Sequence, residues 1–275
     1  MVLFVSLKKG VNEMKILFVG DIVGKSGRNI VINNLPALIN KYNIDFVIAN
    51  GENATHGKGI IENHYNSLLR AGVDVITLGN HYNSKSEINE FIDGADYLIR
   101  PYNLINDFGG VGTAVYEVGD IRIRVTNLLG EAFMLEEVNN PFDALKEIID
   151  NEEKTEIHIV DFHAEATGEK QALAWAFDGL VTAVIGTHTH VQTHDERVLK
   201  NGTGFMCDVG MCGPYNGILG AKREVVIGRL WNKEKIRYEI ESEKGSILSA
   251  VVLDIDENNG TTRSIKSIKL IDEHI

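Results

Sequence analysis

The segment VIGTHTHVQTH, residues 184–194, sets His188 and His190 one residue apart directly after a small apolar run. Imidazoles so spaced are either a histidine-rich strand end or a pair of metal ligands. In an extended segment residues i and i+2 point to one face, with Cα atoms roughly 6.6 Å apart. The cations of a dinuclear site lie about 3.5–4 Å apart, so the Thr189 spacer lets each ring serve one of them. Other apolar runs end in similar chemistry. Asp21 follows ILFVG, Glu52 and Asn53 follow FVIANG, Asn80 and His81 follow VITLG, and His163 follows IHIVDF. Taken singly, each is read more simply as a loop residue, a Gly-rich turn, a capped turn or a satisfied histidine. Taken together they put oxygen and nitrogen ligands at the ends of successive strands, where open α/β sheets bind their ligands. Histidine with carboxylate and amide oxygen suits Fe, Mn or Zn rather than an all-oxygen Ca²⁺ cage. Glu52 and Asn53 are neighbours that a regular strand would point apart, and Gly51 permits the departure that lets them converge.

These residues need elements to hold them. KILFVG, DFVIAN, VDVITLG and EIHIVDF are each followed by a segment with helical spacing, and TAVIGT follows the last of these helices. Ser26 is a plausible N-cap of the first helix and Gly72 a C-cap of the second. Continuous apolar strands alternating with amphipathic helices imply a largely parallel sheet covered on both faces. Residues 112–130 read as a hairpin around Gly119-Asp120. After residue 200 the helices fade, and NGTGFMCDVG, KIRYEIESE, SILSAVVLDIDEN and RSIKSIKLI read as antiparallel strands. The expected architecture is an α/β protein, a two-sheet sandwich flanked by helices.

A chain of 275 residues, 44% hydrophobic, is enough for one large core, and no linker or repeat divides it. Residues 1–13 read as a short extension and 14–275 as a single domain. The net charge of −12 argues against tracking long nucleic acid on a basic face, while cations inside one pocket would still admit a small phosphate ester. Cys207 and Cys212 suit a reduced, cytoplasmic setting, and no apolar run reaches the length of a membrane span.

The ordered set GD, GEN, GNH, DFHAEATGEK, GTHTHVQT and DVGMCGPYNGILG resembles the bacterial YmdB-type metallophosphoesterases, a 2′,3′-cyclic-nucleotide 2′-phosphodiesterase family, over almost the whole chain. The more distant resemblance is to calcineurin-like phosphoesterases, with D-x-H, G-D, G-N-H-[DE], H and G-H-x-H. Val23 replaces the histidine of D-x-H, and Glu52-Asn53 replaces the usual bridging aspartate; both departures match the narrower group. Within that group a Thr-Trp-Asp run is expected after G-N-H, where this chain has Tyr82-Asn83-Ser84, which bears on substrate fit.

The resemblance implies a four-layer α-β-β-α sandwich of the calcineurin-like metallophosphoesterase type. It also implies two metal sites, Asp21, Glu52, Asn53 and His190 in one, and Glu52, Asn80, His163 and His188 in the other, with Glu52 bridging. Two irons are the implied pair and manganese the alternative. Two cations lower the pKa of a bridging water to make hydroxide and neutralise charge on a phosphodiester. His81, beside Asn80, is placed to protonate the leaving 2′ oxygen as general acid. Asp161 is expected to orient a ligand imidazole, with Glu165 and Thr167 as further supports, and the Gly-rich 208–220 segment to lie near phosphate or to form a structural turn. The implied partner is a small nucleotide, with self-association an expectation of the resemblance. A broad-specificity phosphomonoesterase, and a regulatory protein that binds a nucleotide or RNA end with little turnover, remain as alternatives.

Overall fold

The computed structural model describes residues 13–274. Its strands are β1 Glu13–Val19, β2 Asp21–Ile22, β3 Phe46–Asn50, β4 Val75–Thr77, β5 Leu98–Ile99, β6 Thr113–Val118, β7 Ile121–Leu129, β8 Ile157–His163, β9 Ala183–Thr187, β10 Arg197–Val198, β11 Gly204–Met206, β12 Met211–Pro214, β13 Ser246–Asp256 and β14 Thr262–Asp272. Its helices are α1 Gly24–Tyr42, α2 Glu62–Arg70, α3 Ile88–Phe91, α4 Pro141–Asn151, α5 Thr167–Ala176 and α6 Arg223–Trp231.

The strands form two sheets. The first runs β2-β12-β13-β1-β3-β4-β5, with β14 also on β13, and the second runs β10-β11-β9-β8-β7-β6. β1, β3, β4 and β5 are parallel neighbours in the first sheet. β7, β8, β9 and β11 are parallel neighbours in the second. The parallel strands expected of one sheet are therefore divided between two.

Side-chain alternation explains the layers. In β1, Met14, Ile16 and Phe18 face the second sheet and join Ile123, Val125, Ile159 and Ile185 in a core between the sheets. Leu17 and Val19 face the other way, toward Ile30, Leu35 and Leu68 of α1 and α2. The second sheet turns Leu128, Val160 and Phe162 toward Leu145 of α4 and Leu173 of α5. Strands buried on both faces have no polar side to show, which is why they read as unbroken apolar runs. The result is the four-layer α-β-β-α sandwich. No helix among the described residues is long and apolar enough to cross a membrane.

Several local expectations are corrected. The expected extension lies outside the described residues apart from Glu13, which opens β1. α1 begins at Gly24 with Val23 as N-cap, so Ser26 lies inside its first turn, and Gly24 N donates to Asn53 O instead (2.9 Å). Gly72 does close α2 as expected: it is left-handed at φ +107° just after Ala71, and Gly72 N and Val73 N donate to Leu69 O (3.0 Å) and Leu68 O (3.2 Å). The helical segment expected after VDVITLG, SKSEINEFIDG at 84–94, shortens to α3 and a 3₁₀ turn, Ile92–Gly94. Residues 235–243 form no strand beyond one bridge between Ala221 and Ile240, and α6 occupies a stretch read as free of helix. β11 pairs in parallel with β9, because the chain crosses back before entering it. The hairpin is as expected, with Val118 opposite Ile121 around Gly119-Asp120.

Candidate metal centre

The C-terminal edges of the parallel strands converge. Asp21 follows β1, Glu52 and Asn53 lie in the turn after β3, Asn80 and His81 follow β4, His163 ends β8, and His188 and His190 follow β9. Two overlapping groups result. Glu52, His163 and His188 form one, and Asp21, Glu52 and His190 the other, each with its ligand atoms within 4.8 Å of one another. Asn80 Oδ1 lies 3.1 Å from His163 Nε2, inside the first group. Close approach of the β4 end is allowed by Gly79, where a Cβ would lie 2.4 Å from Glu52 Oε2 and 2.5 Å from His163 Nε2.

Each imidazole has one nitrogen held from outside. Thr187 Oγ1 donates its single proton to Asp161 Oδ1 (2.7 Å), so it accepts from His163 Nδ1 (2.8 Å) and leaves His163 Nε2 for the centre. His190 Nδ1 donates to Leu219 O (3.1 Å), which turns Nε2 inward. His188 Nε2 lies 3.2 Å from Glu165 Oε2, and its Nδ1 lies 3.0 Å from His163 Nε2. That last separation matches the edge of a coordination shell, about 3.0–3.4 Å for ligands at about 2.1 Å.

The electrostatics fit a cation. Asp21, Glu52 and His163 are fully or almost fully buried, and Asp21 Oδ1 has no hydrogen-bond partner. An unpaired buried carboxylate oxygen is costly. Burial pushes the Asp21 carboxyl up to about 7, although His190 and His163 oppose the shift. His163 is pushed up to about 9: burial opposes this, and the Glu52 carboxylate prevails. Burial also works against the Glu52 carboxylate, whose pKa is nevertheless held below the ordinary range by His163. The metal-free cluster thus keeps a proton where cations would supply charge. The donor set of carboxylate, imidazole and amide oxygen suits a transition metal.

The structure also alters the geometric argument for the histidine pair. His188 and His190 are left-handed, at φ 102° and 66°, and not extended. Their convergence depends on an anchored turn. Buried Lys170 Nζ donates to Thr187 O (2.7 Å) and Asp208 Oδ2 (2.9 Å), and Thr189 N donates to the same carboxylate oxygen (2.9 Å). Lys170 shares the buried stripe of α5 with Leu173 and Ala174. A lysine at an apolar position of an amphipathic helix was the available signal for this anchor.

Asp161 acts on His163 through Thr187 rather than directly, and it also accepts from Thr77 Oγ1 (2.5 Å) and Asn50 Nδ2 (3.0 Å). Asn53 turns its amide nitrogen to Glu52 Oε1 (2.8 Å) and His190 Nε2 (3.1 Å), so in this arrangement it steadies Glu52. The Gly-rich segment serves the centre structurally, through Asp208 and the Leu219 carbonyl. Exposed Thr167 makes no side-chain hydrogen bond among the described residues, and exposed His56 and His194 take no part. His64 bonds Thr55 and His158 bonds Thr126, away from the centre, and His274 lies in the tail.

His81 N donates to Glu52 Oε2 (3.0 Å), while its imidazole has no hydrogen-bond partner among the described residues. Burial lowers its pKa, and Glu52 works in the opposite direction. Tyr82 is buried edge-on against Phe108 and accepts from Asn106 Nδ2 (2.8 Å), so the first residue of the departing Tyr82-Asn83-Ser84 run is a packing residue.

The family model described as YmdB-like protein matches residues 17–268. The chain is 45% identical over 263 residues to the 2′,3′-cyclic-nucleotide 2′-phosphodiesterase of Bacillus subtilis (strain 168), covering 95% of this chain and 99% of that protein. Among solved structures it is similar to a phosphatase from Mycoplasma pneumoniae, 41% identical with a TM-score of 0.90, covering 96% of this chain and 95% of that one. It is also similar to a protein from Thermus thermophilus, 35% identical with a TM-score of 0.88, covering 94% of this chain and 100% of that one.

Proposed function

The chain belongs to the YmdB-like family, and from that premise we propose that it is a metal-dependent phosphodiesterase hydrolysing 2′,3′-cyclic nucleotides in the cytoplasm. One observation carries the metal reading: three imidazoles, each held from outside at one nitrogen, turn the other toward two buried carboxylates, one of which has an oxygen without a partner. In this reading Asp21, Glu52 and His190 hold one cation, joined by Asn53 once its amide is turned over. Glu52, Asn80, His163 and His188 hold the other. Iron is the proposed native metal and manganese its substitute.

When bound, the two cations supply acidification of water and neutralisation of the phosphate charge. The chain's own residues do the rest. Glu52 lies in both groups and fixes their spacing. Thr187, Leu219 and Glu165 fix which nitrogen of each ring faces inward. His81 reaches the centre on a backbone tied to Glu52, with its ring free to donate a proton. A water oxygen bonds to phosphorus and sheds a proton to solvent, the bond from phosphorus to the 2′ oxygen breaks, and protonated His81 gives that oxygen its proton and is recharged from solvent, leaving a 2′ hydroxyl and a 3′-phosphate.

The test is metal analysis of the purified protein with turnover of 2′,3′-cyclic AMP, 3′,5′-cyclic AMP and a nitrophenyl phosphate monoester, before and after chelation. The expected result is metal-dependent preference for the 2′,3′-cyclic substrate. Preference for the monoester would replace this reading with a phosphomonoesterase.

A further inference from the structure

The β7–α4 connection borders the metal centre, is bonded to two of its residues and is held to α5 as well. Gly130 N donates to His163 O (3.1 Å), and Glu131 N donates to Glu169 Oε1 (2.8 Å). Farther on, Glu136 Oε1 accepts from Asn80 Nδ2 (3.3 Å), which leaves Asn80 Oδ1 to the His163 side. Between these ties burial alternates. Ala132, Met134 and Glu136 are half-buried, and Met134 packs against the core below. Phe133 and Leu135 are 87% and 96% exposed. Phe133 is also left-handed, at φ 64°, a conformation that strains an aromatic residue.

A single exposed apolar residue needs no explanation. Here a strained phenylalanine and a leucine flank one half-buried anchor, Met134, in a loop bonded to two candidate metal ligands. The centre itself accounts only for the phosphate of a substrate. The remaining large flat apolar group of a cyclic nucleotide is its base, carried on the same ribose as the leaving oxygen. His81, the proposed donor to that oxygen, directly follows Asn80, to which this loop is bonded. A ribose whose 2′ oxygen meets His81 would lie toward this loop. Leu219, also exposed and left-handed, borders the other group through His190.

We infer that Phe133, with Leu135 beside it, forms the platform on which the substrate's nucleobase stacks. The inference rests on the cyclic-nucleotide reading above. It gives the phosphate centre a means of telling a nucleotide from a diester that lacks a base.

The test compares metal-loaded wild type, Phe133→Ala and Phe133→Trp on 2′,3′-cyclic AMP and on methyl riboside 2′,3′-cyclic phosphate, which keeps sugar and phosphate but lacks the base. Phe133→Ala is expected to raise KM for the nucleotide about tenfold, the scale of base–aromatic stacking, with kcat unchanged. The base-free substrate should be unaffected, and Phe133→Trp should restore the nucleotide KM. Equal losses on both substrates would overturn the inference in favour of a loop that shapes the metal centre. No loss on either would overturn it in favour of a base held elsewhere. Should wild type hydrolyse nitrophenyl phosphate but no cyclic nucleotide, the cyclic-nucleotide reading fails while the platform stays testable. Inhibition by adenosine 3′-phosphate should then weaken in Phe133→Ala, and inhibition by ribose 3-phosphate should not; equal effects would sink the platform as well.

Discussion

A carboxylate oxygen sealed from water and given no donor must take up a proton or be met by a cation, and Asp21 Oδ1 is in that position. The residues around it are fixed, but His81 is not: its backbone is bonded and its ring is free. A ring that only steadied the loop would need a partner, and a proton donor needs freedom to meet the leaving group. Burial lowers its pKa, so the neutral ring is favoured until an anionic phosphate arrives to favour the charged form. His81→Ala is expected to lower kcat for a cyclic nucleotide about 10²–10⁴-fold with metal content unchanged. The loss should be far smaller for a nitrophenyl diester, whose leaving group needs no proton. A loss equal for both leaving groups would make His81 a positioning residue instead.

At the scale of the element, strand ends were easy to read and turns were not. β1 from Ile16 onward, and β3, β4, β8 and β9 throughout, are buried on both faces, so apolar runs marked them, and the polar residue ending each run marked the rim. The turn after β9 was legible in composition alone. Spacing suggested an extended pair, but the backbone is left-handed at both histidines because Lys170 and Asp208 grip the peptide groups around them. No local pattern links residues 170, 189 and 208, which meet only in the fold. α6 went unread for a related reason: only Val225, Val226 and Gly228 of its residues are buried, so its apolar stripe is weak. The grip makes its own prediction. Lys170→Met leaves the Asp208 carboxylate buried and unpaired, which should cost about 3–5 kcal/mol in chemical denaturation. Lys170→Met with Asp208→Asn removes both charges and should recover most of that stability. Metal affinity should stay about 10–100-fold weaker in the double variant, because Thr187 and Thr189 lose their anchor. Recovery of affinity along with stability would reduce the pair to a structural role.

At the scale of the whole molecule, the centre lies where two sheets meet. Asn50 and Thr77 of the first sheet both donate to Asp161 of the second, and Glu52 of the first lies 3.3 Å from His163 Nε2 of the second. Cations there would cross-tie the layers, so they should stabilise the folded chain as well as activate it. A ligand at 100 times its Kd adds about 2.7 kcal/mol, and each kcal/mol raises Tm by roughly 2–4 °C in a chain near this size. Chelated protein given Mn²⁺ should therefore melt higher by roughly that increment for each site filled. Asp21→Asn should keep one increment and Glu52→Gln neither, since Glu52 belongs to both groups.

The increment has a pH sign. In the metal-free chain the Glu52–His163 pairing raises the imidazole from 6.5 to about 9. That contribution is fully present below 6.5 and lost as pH rises through about 9. A cation must displace the same proton, so its binding strengthens over the same window as the proton's own contribution fades. The gap in Tm between loaded and chelated protein should widen from pH 6.5 to 9 in wild type. In Glu52→Gln it should stay flat and near zero. A gap that is unchanged by Glu52→Gln would place the bound cation outside this centre.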